Sequence, residues 1–273
     1  MGIFGGTPNP TTYLFVDAGH LRASFRRAIG SWCNGEFRLE IRKVSNHFSA
    51  NKTFYYDSLD DSLHEGETLD AQRARIFAQE SNFRTINALP NTHVRLGSMT
   101  GTRKKLRQKE VDILIAVDMM THAVRGNMAR AILLTGDRDF TPLVEALVQL
   151  GVTIDIAGDR RCTSDILAAA ADSYRPLSLR TYHSWLPDRD QQECQLPVIQ
   201  GGDVNTNDLV AISTGDVGEY QGSLYPTGGP TVLFIMRNEY GANYANVARD
   251  GLERFKLFLE LEHGAVPWLP TTL

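Results

Sequence analysis

Cysteine is scarce in this chain. Only three occur in 273 residues, at positions 33, 162 and 194, and no two stand in Cys-x-x-Cys spacing. That spacing gives no support to a zinc ribbon or a dithiol redox centre, and a reduced, cytoplasmic protein is the simplest expectation. No apolar run approaches the roughly 18–20 residues a membrane helix needs, so no membrane partner is expected. The opening "MGIFGGTPNP" lacks the basic and long apolar stretches of a secretory leader. Gly6 stands where a myristoylation signal wants Ser or Thr. Residues 1–10 therefore read as a flexible tail. Excess positive charge is also missing. The net charge is −4, so a polyanion would have to bind at a local patch. The phosphate-binding G-x-x-x-x-G-K-S/T loop, a G-x-G-x-x-G turn after a strand, H-E-x-x-H and G-x-S-x-G are all absent, which removes the commonest nucleotide, zinc-peptidase and serine-hydrolase readings.

What is present is ordinary globular material, 42% hydrophobic and 22% charged, able to bury a sizeable core. Short apolar runs recur: "TYLFVD" ending at Asp17, "TFYYD" ending at Asp57, "THVRLG", "AILLTGD" ending at Asp137 and "VTIDIAGD" ending at Asp159. Each suits a buried strand. "LSLRTY" reads as an edge strand. The gaps read as helices: Leu21 to Ile29, Leu69 to Leu89 with Ile76 and Phe83 inward, Val111 to Val124, Thr141 to Leu150 and Thr163 to Asp172. Thr141 suits a helix cap, with Pro142 at the first helical position. Strand–helix alternation of this kind predicts an α/β fold with a mostly parallel sheet. From about Pro187 the texture changes. "PDRDQQECQLP" reads as a polar linker, "LVAIST" and "TVLFIMRNEY" as strands, and "YANVARDGLERFKLFLELEHG" as an amphipathic helix carrying Leu252, Phe255 and Leu259. The expected division is a tail 1–10, a main domain 11–186 and a small α+β extension 187–273 with a protein partner as its conceivable role.

Ligands of doubly wound sheets bind beyond the carboxyl ends of the strands. Asp17 and Asp137 fall at such ends. Asp139 shares the turn of Asp137, and Asp112 opens a helix just before that strand. Four carboxylates at one rim would repel each other unless a cation intervenes. Oxygen-only ligands without clustered His or Cys point to Mg²⁺ or Mn²⁺ and to phosphate chemistry. Plainer roles exist for each acid: turn chemistry for Asp139, the helix dipole for Asp112. Asp118 lies six residues beyond Asp112, about 600° of helix, and reads as structural. The second feature is "RKKLRQK", residues 103–109, in which Arg103, Lys104, Lys105, Arg107 and Lys109 make a local basic run. Such a run next to an acidic metal site suits a phosphodiester backbone. His20 and Arg22 lie just past Asp17 and extend the candidate substrate contacts. Arg26 and Arg27 follow on the same helix, and Tyr55 and Tyr56 offer rings for base stacking or for the core.

The segments "YLFVDAGHL", "FYYD", "RQKEVDILIAVDMM", "TGDRDFTPLVEALVQLGVTIDIAG" and "CTSDILAAAADSYRPL" resemble, in order, those of NYN domains, the LabA-like branch of the PIN-like nuclease superfamily. The resemblance covers roughly residues 11–182. It implies a compact PIN-like, Rossmann-like α/β fold, metal-dependent cleavage of RNA, and an acidic site on Asp17, Asp112, Asp137 and Asp139. The family commonly places Asn three residues after the first Asp, where this chain has His20. The leading expectation is a Mg²⁺- or Mn²⁺-dependent ribonuclease in which Asp17, Asp112 and Asp137 hold the ion and RNA is the partner. The alternative is a weak or inactive RNA-binding or protein-interaction module on the same fold. A small-molecule phosphatase ranks lower, because Asp17-Ala18-Gly19 lacks a second acid two residues on. The sequence leaves homo-oligomerisation open.

Overall fold

A computed structural model of the chain describes residues 11–33, 35–97, 104–202 and 204–273, and for 104–109 the backbone alone. In chain order the first elements are β1 (Thr12–Asp17), α1 (Ala18–Trp32), α2 (Ile41–His47), β2 (Lys52–Asp57), α3 (Leu69–Asn87), β3 (Thr92–Leu96), α4 (Lys104–Val124) and β4 (Arg130–Leu134). A 3₁₀ turn (Arg138–Phe140) leads into α5 (Thr141–Gln149), followed by β5 (Thr153–Asp159), α6 (Asp165–Ala170) and β6 (Ser173–Leu177). The chain forms two compact units. The first comprises the described residues up to Arg26 with Leu39–Leu177, and the second comprises Arg27–Arg38 with Ser178–Leu273.

The first unit is built on a six-stranded parallel sheet of order β3-β2-β1-β4-β5-β6. Alternate strand residues explain its core. Tyr13 and Phe15, Phe54 and Tyr56, Ala131 and Leu133, and Ile154 and Ile156 share one face and pack with Val111, Ile115 and Met119 of α4 and Val144 and Leu147 of α5. The α4 residues recur every four positions, one stripe of a helix. The opposite-facing Leu14, Val16, Ile132 and Leu134 are also fully buried, as a parallel sheet covered on both faces requires. The expected α/β class with a parallel, helix-flanked sheet is what the structure has.

Local expectations need correction. The helix α4 starts at Lys104, not Val111, so Asp112 lies more than two turns inside it, at about 3.6 residues per turn. A dipole role for that acid lapses, since the effect fades within the first turn. Thr141 is the first helical residue of α5, not its cap. Phe140 holds the cap position, and the Thr141 hydroxyl donates to the Arg138 carbonyl at 2.7 Å. The edge strand is Ser173–Leu177, whereas most of "LSLRTY" belongs to α7 (Leu179–Ser184), capped by the Ser178 hydroxyl.

The second unit continues with α8 (Asp188–Glu193), β7 (Gln200–Gly201), β8 (Ser213–Val217), β9 (Tyr220–Pro226), β10 (Thr231–Asn238), β11 (Gly241–Ala248), a 3₁₀ turn (Arg249–Gly251) and α9 (Leu252–His263). Its sheet is antiparallel, of order β7-β11-β10-β9-β8. The closing helix begins at Leu252, because Tyr244–Ala248 pairs as strand. Leu252, Phe255 and Leu259 are buried as the spacing predicted. Residues 187–197 are not merely a linker. They contain α8, and Cys194 forms a disulfide with Cys33, with the Cα atoms 5.6 Å apart. That pairing overturns the expectation of three reduced cysteines and removes it as an argument for a cytoplasmic location. Cys162 is the free cysteine. Among the described residues no helix is long and apolar enough to cross a membrane.

Candidate active site

The strand order reverses direction between β1 and β4. At such a switch point the flanking connections diverge to opposite faces and leave a crevice beyond the strand ends. Asp17 is the last residue of β1, and Asp137 follows β4 by three positions. Thr135, fully buried, links them: its hydroxyl donates to Asp17 Oδ2 at 3.0 Å and accepts the Asp137 backbone N–H at 3.4 Å. The other oxygen of Asp17 accepts the His20 backbone N–H at 3.1 Å. The Asp137 carboxylate caps the 3₁₀ turn by accepting the Asp139 N–H at 2.9 Å. Both carboxylates are thus fixed by neutral donors.

Asp112 reaches the same rim from α4. Its carboxyl is pushed up from 3.8 to about 6, first by burial and then by the negative charges of Asp17, Asp137 and Asp139. The four acids therefore share one electrostatic neighbourhood. Asp17, Asp112 and Asp137 are half-buried and Asp139 is exposed.

Neighbouring strand-end acids behave differently. Asp57 at the end of β2 is buried and binds the Arg22 guanidinium through both oxygens, one of the bonds at 2.8 Å, while Arg22 also donates to Tyr55 Oη at 3.3 Å. Burial works against the charge of Arg22, but Asp57 outweighs it and raises the guanidinium above its ordinary value. Asp159 at the end of β5 is buried and paired with Arg161 at 2.8 Å. Asp118 accepts the Tyr56 hydroxyl at 2.9 Å and pairs with Arg95 at 2.9 Å, a structural role. Among the described residues no Lys or Arg pairs with Asp17, Asp112, Asp137 or Asp139. Among the described residues, charge compensation is supplied to each of the other three and to none of the four at the crevice.

The NYN domain profile matches residues 11–178. The chain belongs to the NYN domain family. NYN domains are generally PIN-like and nuclease-like, which is the coarse functional class of this chain. Among solved structures it is similar to a protein of unknown function from Vibrio parahaemolyticus, at 17% identity and a TM-score of 0.44, over 67% of this chain and 99% of that one. No curated protein matches it.

Within this NYN domain the donor set at the crevice is all carboxylate oxygen, which suits a hard divalent cation. A cation would also relieve the repulsion that raises Asp112. As placed, no three His, Cys, Asp or Glu side chains among the described residues are disposed to hold an ion, so the fit is one of donor chemistry and charge. His20 lies at the rim. A Cβ on Gly136 would come within 2.5 Å of His20 Cε1, 2.7 Å of the Cys162 carbonyl oxygen and 2.9 Å of Thr163 Cα, so glycine is what allows these groups to close around the turn. His20 Nε2 contacts Ser24 Oγ at 3.3 Å, and Ser24 Oγ contacts Cys162 Sγ at 3.6 Å. Tyr55 and Tyr56 are both buried, so neither ring is open for stacking, and burial beside Asp57 pushes the Tyr55 hydroxyl up to about 12. Arg26 and Arg27 are exposed. Arg103 lies outside the described residues, as do the side chains of Lys104, Lys105, Arg107 and Lys109. Sequence reasoning missed Thr135, Gly136 and the Arg22–Asp57 pair. "TGD" immediately after a buried strand was the available signal for the first two.

Proposed function

We propose that this NYN domain, of the LabA-like type, is a Mg²⁺- or Mn²⁺-dependent ribonuclease that hydrolyses phosphodiester bonds of RNA. The observation that carries the reading is the group of four acids with no cationic partner among the described residues, at the switch point, where burial first and the charges of the other three acids next raise Asp112 to about 6. Asp17, Asp112 and Asp137 would hold the ion. Such an ion would supply Lewis acidity and charge neutralisation for attack on phosphorus. Asp139, exposed beside Asp137, would orient the attacking water. Thr135 keeps Asp17 and Asp137 in register, and the backbone N–H of His20 fixes the second oxygen of Asp17. Arg22, held by Asp57 and Tyr55, presents a preorganised guanidinium toward the substrate, and residues 103–109 add positive charge for the RNA backbone.

The experiment is cleavage of labelled single-stranded RNA with Mn²⁺ and with EDTA, for the wild type and Asp137→Asn. Cleavage is expected only for the wild type with Mn²⁺. Wild-type protein that binds RNA and leaves it intact would refute the enzyme and favour the binding module.

A further inference from the structure

The helix α3 is exposed over much of its surface. It buries only Phe83 and Ile86 fully, and Arg75 ties its inner side to Glu67 at 2.8 Å. Ile86 lies nine residues beyond Phe77, about 900° of helix, so Phe77 faces the opposite way. Phe77 is 65% exposed, and Leu69 is 60% exposed at the start of the same helix. Ala71, Ala74, Ala78 and Ser81 are exposed with it. An aromatic ring among small residues is an unusual outer face for a helix in water, and small residues permit close approach of another backbone.

The charges around Phe77 are arranged symmetrically about it. Asp70 lies seven residues before and Arg84 seven after, each within about 20° of Phe77 around the helix. Arg73 and Glu80, four before and three after, fall on one flank. Ala74 and Ser81, three before and four after, fall on the other. Among the described residues these charges make long, largely exposed ion pairs, Arg73–Asp70 at 3.6 Å and Arg84–Glu80 at 3.8 Å, of little worth in isolation, and the Arg84 guanidinium lies 5.8 Å from the Phe77 ring centroid.

We infer that α3 is the face on which a second copy of this chain docks, helix against antiparallel helix, with the two-fold axis at Phe77. An isologous contact places residue i against j and j against i. Here Arg84 meets Asp70 of the other copy, Arg73 meets Glu80, Ala74 meets Ser81, and the two Phe77 rings cover each other. Each attraction occurs twice, and every charge on the strip opposes one of the other sign. A single helix pair lies at the small end of specific interfaces, under about 1,200 Å² in total, so the dimer is concentration-dependent.

Sedimentation velocity on nucleic-acid-free protein over a range of concentrations tests this, with far-UV circular dichroism as the folding control. The wild type should shift from monomer to dimer as concentration rises. Phe77→Asp should remove the dimer. Glu80→Arg should weaken it about tenfold or more by setting arginines against each other, and the double variant R73E/E80R should recover it, because the pairing is restored with signs exchanged. Arg73 and Phe77 are exposed and the Glu80 side chain is 44% exposed, so the fold should be unaffected. A wild type that stays monomeric throughout, a dimer that survives Phe77→Asp, or a double variant no better than Glu80→Arg overturns the inference.

Discussion

Asp112→Asn should stabilise the first unit at neutral pH while abolishing hydrolysis. The Asp112 carboxyl is raised from 3.8 to about 6 by burial and then by Asp17, Asp137 and Asp139. A shift of about two units corresponds to roughly 3 kcal/mol at 1.36 kcal/mol per unit. The residue is half-buried, and solvent screening reduces this to about 1–2 kcal/mol. The sign follows from linkage. A carboxyl whose folded pKa is raised penalises the folded state when ionised, so the penalty is complete above the folded value near 6. It falls to about half by pH 5 and vanishes below the unfolded value near 3.8. Asparagine keeps the shape and removes the charge. For a unit of this size each kcal/mol moves Tm by about 2–4 °C, so the variant should melt about 2–8 °C higher. The assay is differential scanning calorimetry in EDTA at pH 7.5 and pH 5, following the transition assigned to the first unit because two units can unfold separately. An unchanged or lower Tm at pH 7.5, or a gain that does not shrink at pH 5, would refute the crowding argument.

Gly136→Ala should cost about 1–3 kcal/mol, because its Cβ would meet the Cys162 carbonyl oxygen at 2.7 Å and Thr163 Cα at 2.9 Å, both backbone atoms that cannot swing aside. Urea unfolding reads the loss, and a cost under about 0.5 kcal/mol would contradict the close packing of the turn. Cys33 and Cys194 are joined across a sequence separation of 161, which the chain-entropy argument values at up to about 5 kcal/mol. In denaturant without reductant a maleimide should label only Cys162, and after reduction all three cysteines. Labelling of all three without reductant would show that the bond is not formed.

Five of the six strands, β1 to β5, were legible because they are short, mostly apolar runs ending at or just before an Asp or Gly. Burial on both faces makes such runs nearly continuous in hydrophobicity. The edge strand β6, "SYRPL", has no such closure and was placed a few residues too late. Helix starts were less legible. The residues "KKLRQK" carry no apolar stripe, so the first turns of α4 could not be told from a loop, and Asp112 was placed at the start of its helix. "YANVA" has no helical periodicity of its own and was absorbed into the helix that follows, although its pairing with β10 makes it strand. The disulfide was invisible because Cys33 and Cys194 are brought together by folding, and their spacing matches no short motif.

The site shows the same division. Asp17 and Asp137 were legible as candidates because strand ends are where a parallel sheet exposes its ligands. The sequence could not say which strand-end acids lack a charged partner, because that depends on side chains elsewhere. Asp57 and Asp137 look alike in sequence: each follows a buried strand and each has an arginine nearby in the fold or the chain. Arg22 reaches across from α1 to Asp57, whereas Arg138, next to Asp137, is exposed and makes no ion pair with it. Removing the counter-charge from Asp57 by Arg22→Met should therefore leave a buried, uncompensated carboxylate and destabilise the fold by about 3 kcal/mol. Arg138→Met should cost almost nothing. Equal losses in urea unfolding would mean that compensation does not distinguish the two acids, and the reasoning that separates structural from functional carboxylates at this sheet edge would fail.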